Sequence, residues 1–225
     1  MAQKLFFGSI WLAFTIYAIA SSFHLAATPE EDFDLIVQMS TGQISGINPL
    51  VVAIFYIMGI FPWVYAAFIL FDGTEQKVSP YPFFFVSVGL GAFALLPYLA
   101  LRQPNTTIGQ KNLLQKFVDS RLTAIISAIA IVVLLTWGIT QGNWSDFITQ
   151  WQTTQFIHVM SLDFCCLCLL FPAVLGNDLK RRGVSGVLRQ IALIPLFGAL
   201  IYWCLRPQLP ETVISPSNAS QISRT

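Results

Sequence analysis

Asp163 carries the most chemical potential in this chain, because it is the only acidic side chain inside any of six long apolar stretches. A carboxylate in hydrocarbon costs ~2.5–3.5 kcal/mol on insertion scales, so it needs a compensating contact or a function. His24 and His158 are the only other side chains near these stretches able to exchange protons near neutral pH. Five residues along a helix means ~7.5 Å of rise and ~140° of rotation, so His158 and Asp163 do not face each other. His24 closes the first stretch, ~13 Å from Asp163 along the membrane normal by the same rise. Asp163 is therefore expected to face the bundle in its protonated form and bond a hydroxyl such as Thr136, Thr140 or Tyr56. Its role is a structural clamp or a proton- or solute-handling site.

The four cysteines, Cys165, Cys166, Cys168 and Cys204, all lie in apolar stretches. Disulfide frameworks belong to small secreted domains with cysteines in loops, so these read as small reduced hydrophobes. Cys165-x-x-Cys168 matches a redox motif by letter, yet no charged neighbour is present to lower a thiol pKa. No Gly-rich phosphate loop is present, and two histidines exclude a multi-histidine metal site. No cofactor follows from the residues alone, although either imidazole could ligate a pigment magnesium.

The elements that must position these groups are apolar helices. The stretches cover residues 5–27, 47–71, 82–101, 122–139, 156–175 and 186–205. About 20 residues at ~1.5 Å each cross a ~30 Å hydrocarbon core. Hydrophobic residues make up 55% and charged residues 10%, well under the ~25% charged of soluble domains. The expectation is an all-α polytopic bundle of about six transmembrane helices over residues 1–210, with a disordered polar tail over 211–225. Its first partner is the lipid bilayer. The near-balance of 12 basic and 11 acidic residues gives no sign of a nucleic-acid partner.

Six alternating spans would place the first, third and fifth loops on one face. Eight of the twelve basic residues then share that face: Arg102, Lys111, Lys116, Arg121, Lys180, Arg181, Arg182 and Arg189. The positive-inside rule makes it cytoplasmic and puts both termini outside. Under this reading, Lys180–Arg182 is a surface patch for orientation and lipid contact. The acidic run Glu30–Asp34 is a solvated turn or a partner for the basic loops. Trp137, Trp144 and Trp151, seven residues apart, fit rings at the headgroup level.

Prolines 49, 62, 97, 172 and 195 interrupt four stretches, and Ser87/Gly91 and Ala124/Ala128 offer close helix contact. A weak internal echo pairs Asp32-Phe33 and Gln38 with Asp146-Phe147 and Gln152, and Leu101-Arg102 with Leu205-Arg206. Three helices per half would make it an inverted repeat of the transporter kind.

The phrases Phe33-Asp34-Leu35-Ile36, Asn48-Pro49, Met58-Gly59, Phe71-Asp72-Gly73, Phe156-Ile157-His158-Val159 and Leu162-Asp163-Phe164 resemble an uncharacterised family of multi-pass membrane proteins of cyanobacteria and plant chloroplasts. The likeness runs from about Phe33 to Pro210. It implies a thylakoid or plasma membrane of a cyanobacterium and partners among photosynthetic membrane complexes, and it carries no established activity or site residues. Three classes of function stand open: an accessory or assembly factor, a small-solute or ion transporter of two three-helix halves, and a pigment binder or membrane enzyme using His24 or His158.

Overall fold

The computed structural model describes residues 1–25, 28–103 and 110–209, leaving the 211–225 tail outside the described residues. Every regular element described is helical: α1 (Ala2–Ser21), α2 (Pro29–Ser40), α3 (Pro49–Ile69), α4 (Pro80–Leu101), α5 (Leu113–Asp119), α6 (Arg121–Gln141), α7 (Trp144–Thr153), α8 (Gln155–Arg181), α9 (Val187–Ile191) and α10 (Phe197–Leu205). Local chemistry sets the starts. Thr28 and Glu31 form a capping box ahead of Pro29, and Asn48 and Ser79 cap α3 and α4 ahead of prolines at the first helical position. Pro49 thus begins α3 rather than interrupting it.

Among the described residues, five helices are long and apolar enough to cross a membrane: α1, α3, α4, α6 and α8. One of them, α4, is not a continuous rod. Gly91 in the middle of α4 has φ +47 and ψ −124, and the chain doubles back there. Phe83 and Tyr98 have ring centroids 5.5 Å apart, where a continuous helix would hold them ~22 Å apart. Gln76 and Gln103, which flank α4, bond each other's amide and backbone. Residues 80–90 descend, residues 92–101 return, and each arm reaches ~15 Å, half the hydrocarbon core.

The sixth stretch is likewise no span. It breaks into α9 and α10 around a turn at Leu196, φ +62, whose neighbours close a Phe197 N–H to Pro195 carbonyl bond of 2.8 Å. The backbone of Ile191 and Ala192 runs so close to Gly198 that a Cβ there would sit 2.2 Å from the Ile191 oxygen. Both ends of this second hairpin return to one side, since Arg182 and Arg206 share Asp119 and Asp178. Among the described residues, four long helices therefore run the depth of the bundle, and two hairpins enter and leave by the same end. Of the six expected spans, five correspond to helices of spanning length, and one of those five, α4, is folded at Gly91.

This changes which ends meet. At one end, Gln3 donates to the Leu99 carbonyl at 2.7 Å, and Asp72 pairs with Arg102 and Arg181. At the other end, Gln155 donates to the Ala18 carbonyl, Asp32 accepts from the Phe156 N–H, the second amide of α8, and Asn48 bonds Asp146. Loops one and four therefore lie together at the second end, and the first end gathers the N-terminus, the other loops and Leu209. The alternation expected from six spans fails because each hairpin removes a crossing. All the basic residues but Arg224, which lies outside the described residues, fall at the first end; Glu30, Glu31, Asp32, Asp34 and Asp146 fall at the second. The acidic run cannot pair with basic loops at the opposite end.

The peripheral helices α1 and α6 present their apolar faces outward, with Leu12, Ile16, Ile126 and Val133 among the exposed side chains. The core lies between α3 and α8, where Phe171 stacks on Tyr65 and meets Phe61 edge-on and the Tyr65 hydroxyl donates to the Leu167 carbonyl at 2.6 Å.

Candidate functional site

The irregular backbone at the tip of the α4 hairpin sets the local problem. A peptide N–H without a partner in hydrocarbon costs several kcal/mol, so a broken helix at this depth requires an acceptor. Asp163 of α8 supplies it: one carboxylate oxygen accepts from the Ala92 N–H at 2.8 Å, the first amide of the returning arm. A carboxylate there also meets the positive end of a half-helix dipole. Gly91 makes the approach possible, because a Cβ built on it would lie 1.9 Å from the other Asp163 oxygen. Asp163 is 5% exposed. None of the expected hydroxyl partners is used: Tyr56 donates to the Met39 carbonyl, Thr140 donates to the Thr136 carbonyl, and Thr136 is exposed on α6. The carboxylate found a backbone donor because the hairpin exposes one, and a continuous helix would not.

Above this contact is a cavity of about 480 Å³. Its floor is the hairpin tip, Ser87–Gly91 with Phe93; its walls are Phe55, Tyr56, Met58 and Gly59 of α3 and Phe156, Val159, Met160 and Asp163 of α8; its rim is Ile36 and Ser40 of α2. The volume falls in the ~300–1,000 Å³ range of small-molecule sites, and an apolar wall with a few convergent polar groups is their usual lining.

The other sequence candidates stand apart from it. His158 turns its ring away from the cavity onto Trp151 and Tyr17, with centroids 4.5 and 5.8 Å away. Its Nδ1 lies 2.8 Å from the Trp151 carbonyl, which only accepts, so Nδ1 carries the proton. Nε2 then accepts from the Tyr17 hydroxyl at 2.7 Å. Both nitrogens are used, Nδ1 tying α8 to α7 and Nε2 tying it to α1. His24 is exposed just beyond the end of α1. The four cysteines are free thiols, and among the described residues no group of three His, Cys, Asp or Glu side chains could hold a metal ion.

A second polar constellation, at the basic end, was read from the sequence as a surface patch and is not one. Lys180 is exposed, but Arg181 and Arg182 are buried among carboxylates. Asp72 meets Arg102 and Arg181 at 3.2 and 3.1 Å. Asp178 meets Arg182 and Arg206 at 3.0 Å each. Asp119 meets Lys111, Arg182 and Arg206 at 2.9, 2.7 and 3.2 Å. Arg206 also lies over the Phe68 ring, 5.0 Å from its centroid. Burial pushes the Asp119 carboxyl up, but Arg182 and Arg206 outweigh it and hold it below the usual carboxylate range. The cluster joins α3, α4, α5, α8 and α10, and no wall of the cavity reaches it; it is a fastening. Comparison with family models, curated proteins and solved structures finds no match.

Proposed function

We propose that this integral membrane protein binds a small, mainly apolar molecule in the cavity above the α4 hairpin and passes it between membrane and acidic end. The observation that carries the reading is the hairpin itself: a helix broken at mid-depth, held by a buried carboxylate, under a cavity of about 480 Å³. Non-helical backbone at that depth occurs where it is enclosed by protein or lines a cavity, and discontinuous helices frame substrate sites in transporters. This supports the transporter class over a pigment binder built on His158, whose two nitrogens are both engaged.

Gly59 gives a clean test. It lines the cavity, and a Cβ there would meet nothing within 4 Å, so Gly59→Phe fills the space without breaking a bond. Wild type and Gly59→Phe, purified from native membranes, are extracted and their small molecules compared by mass spectrometry. A compound retained by the wild type and missing from the variant is expected; identical extracts would reject the reading.

An accessory role in a photosynthetic membrane, with thylakoid or plasma-membrane location, is supported by the family resemblance alone. Affinity purification from native membranes tests it: co-purifying photosynthetic complexes support it, and an isolated chain refutes it.

A further inference from the structure

We infer that the occupant of the cavity is an organic cation, an apolar body bearing a protonated amine or similar positive head placed at Asp163. The inference rests on the cavity reading above and adds the chemical class. The deep polar groups all accept hydrogen bonds. Ser87 spends its hydroxyl proton on the Phe84 carbonyl at 2.7 Å, and Tyr56 spends its own on the Met39 carbonyl at 3.0 Å. Each keeps lone pairs and has no proton to give. Asp163 accepts one bond, from the Ala92 N–H. The half-helix behind that N–H contributes about half a positive charge, leaving part of the carboxylate charge unbalanced.

Among the described residues, no cation of the protein reaches it. The buried arginines and Lys111 are engaged with Asp72, Asp119 and Asp178 at the basic end, and no basic residue stands at the acidic end among the described residues. An anionic ligand is disfavoured twice: Asp163 already occupies the half-helix N-terminus, and the entrance side carries Glu30, Glu31 and Asp34, all exposed. Those same carboxylates draw a cation toward the rim by long-range attraction. The walls Phe55, Val159 and Met160 accommodate the apolar body, and aromatic rings add cation–π attraction.

The test uses the full chain in nanodiscs of zwitterionic lipid, with empty nanodiscs subtracted. Three matched fluorescent probes are titrated: 1-naphthylmethylammonium, neutral 2-methylnaphthalene and anionic 1-naphthylacetate. Saturable binding of the ammonium is expected, weakened about tenfold or more in Asp163→Asn and abolished in Gly59→Phe. The amide of the Asp163→Asn variant keeps a carbonyl oxygen for the Ala92 N–H, and an unchanged unfolding midpoint verifies that the fold survives. If the neutral probe binds as tightly as the ammonium and neither responds to Asp163→Asn, while Gly59→Phe removes both, the cation class is overturned and the cavity reading stands. Preferential binding of the anion also overturns the class. If no probe saturates above empty nanodiscs, both readings fall.

Discussion

Gly91→Ala is the sharpest perturbation of the hairpin. Two costs add. The backbone at φ +47, ψ −124 matches the first central position of a type II′ turn, which strongly favours glycine. An alanine there carries about 1–3 kcal/mol of strain. Its methyl would also lie 1.9 Å from Asp163 Oδ2 and 2.8 Å from Cγ, so the carboxylate must leave. Its 2.8 Å bond to the Ala92 N–H is then lost, about 1.5–3 kcal/mol for a hydrogen bond to a charged group. The expected total is about 2.5–6 kcal/mol, a large share of the ~5–15 kcal/mol typical of a folded domain.

Gly89→Ala two residues earlier is the control, because a Cβ at Gly89 meets nothing within 4 Å. Unfolding in detergent, followed by a thiol-reactive dye reaching buried Cys168, gives the two midpoints. A double variant locates the cause: shortening Asp163 to alanine removes the clash, so Gly91→Ala should cost at least ~1 kcal/mol less in the Asp163→Ala background. If Gly91→Ala matches Gly89→Ala within about 1 kcal/mol, or if the two substitutions simply add, the reasoning about this contact is wrong.

The remaining predictions concern the ends of the bundle. The one-sided distribution of basic residues makes the basic end cytoplasmic: in a cysteine-free background, single cysteines at Lys77 and Ser185 should label from the cytoplasm and one at Ser145 from the opposite side, and labelling Lys77 and Ser185 from different sides would refute the hairpins. Asp178→Asn strips Arg206 and Arg182 of a buried partner and should cost about 3–5 kcal/mol, read as a drop in unfolding midpoint; an unchanged midpoint would show the cluster to be dispensable. Asp119, held below its ordinary value by Arg182 and Arg206 despite burial, contributes stability that is present above its unfolded pKa of ~3.9 and lost as pH falls through the lower folded value. Unfolding midpoints should therefore fall below about pH 4, and Asp119→Asn should flatten that slope; an equal slope in the variant would assign acid sensitivity to other groups.

Much of this was legible in the sequence, and the failures share one cause. The apolar stretches, the turn chemistry and the singular Asp163 followed from residue types. Residues 82–101, however, satisfy a length criterion equally well as one rod through the bilayer or two half-length arms, because hydropathy counts residues and carries no direction. The usable signal was Gly89-Leu90-Gly91 at the centre of the stretch, where glycine permits a positive φ and close approach. A second signal was charge. Folding both stretches back raises the basic asymmetry from eight against four to all eleven described residues against none. Once the fold is wrong at that point, loop five appears exposed and Arg206 appears to face the other side. The aspartates that bury Arg181, Arg182 and Arg206 come from the turn after α3, from α5 and from α8, far apart in sequence. No local pattern announces such a cluster.

The internal echo acquires a different meaning in this geometry. Each half consists of a crossing helix, a short amphipathic helix, a second crossing helix and a hairpin: α1–α4, then α6–α10. Two crossings are an even number, so both halves start from the same face, and a repeat in this arrangement would be a two-fold along the membrane normal rather than an inversion. Some contacts correspond. Asp32 of α2 serves the second amide of α8, while Asp146 of α7 serves Asn48 at the start of α3. Arg102 pairs with Asp72 in the first half as Arg206 pairs with Asp178 in the second. The correspondence of Asp72 with Asp178 puts Ile57, fully buried, where the second half has Asp163. The hairpin of the second half has no carboxylate to receive, and its tip closes on its own carbonyls at Ile194 and Pro195. One half thus supplies the broken helix and the other supplies the charge that holds it, so neither half alone contains the site.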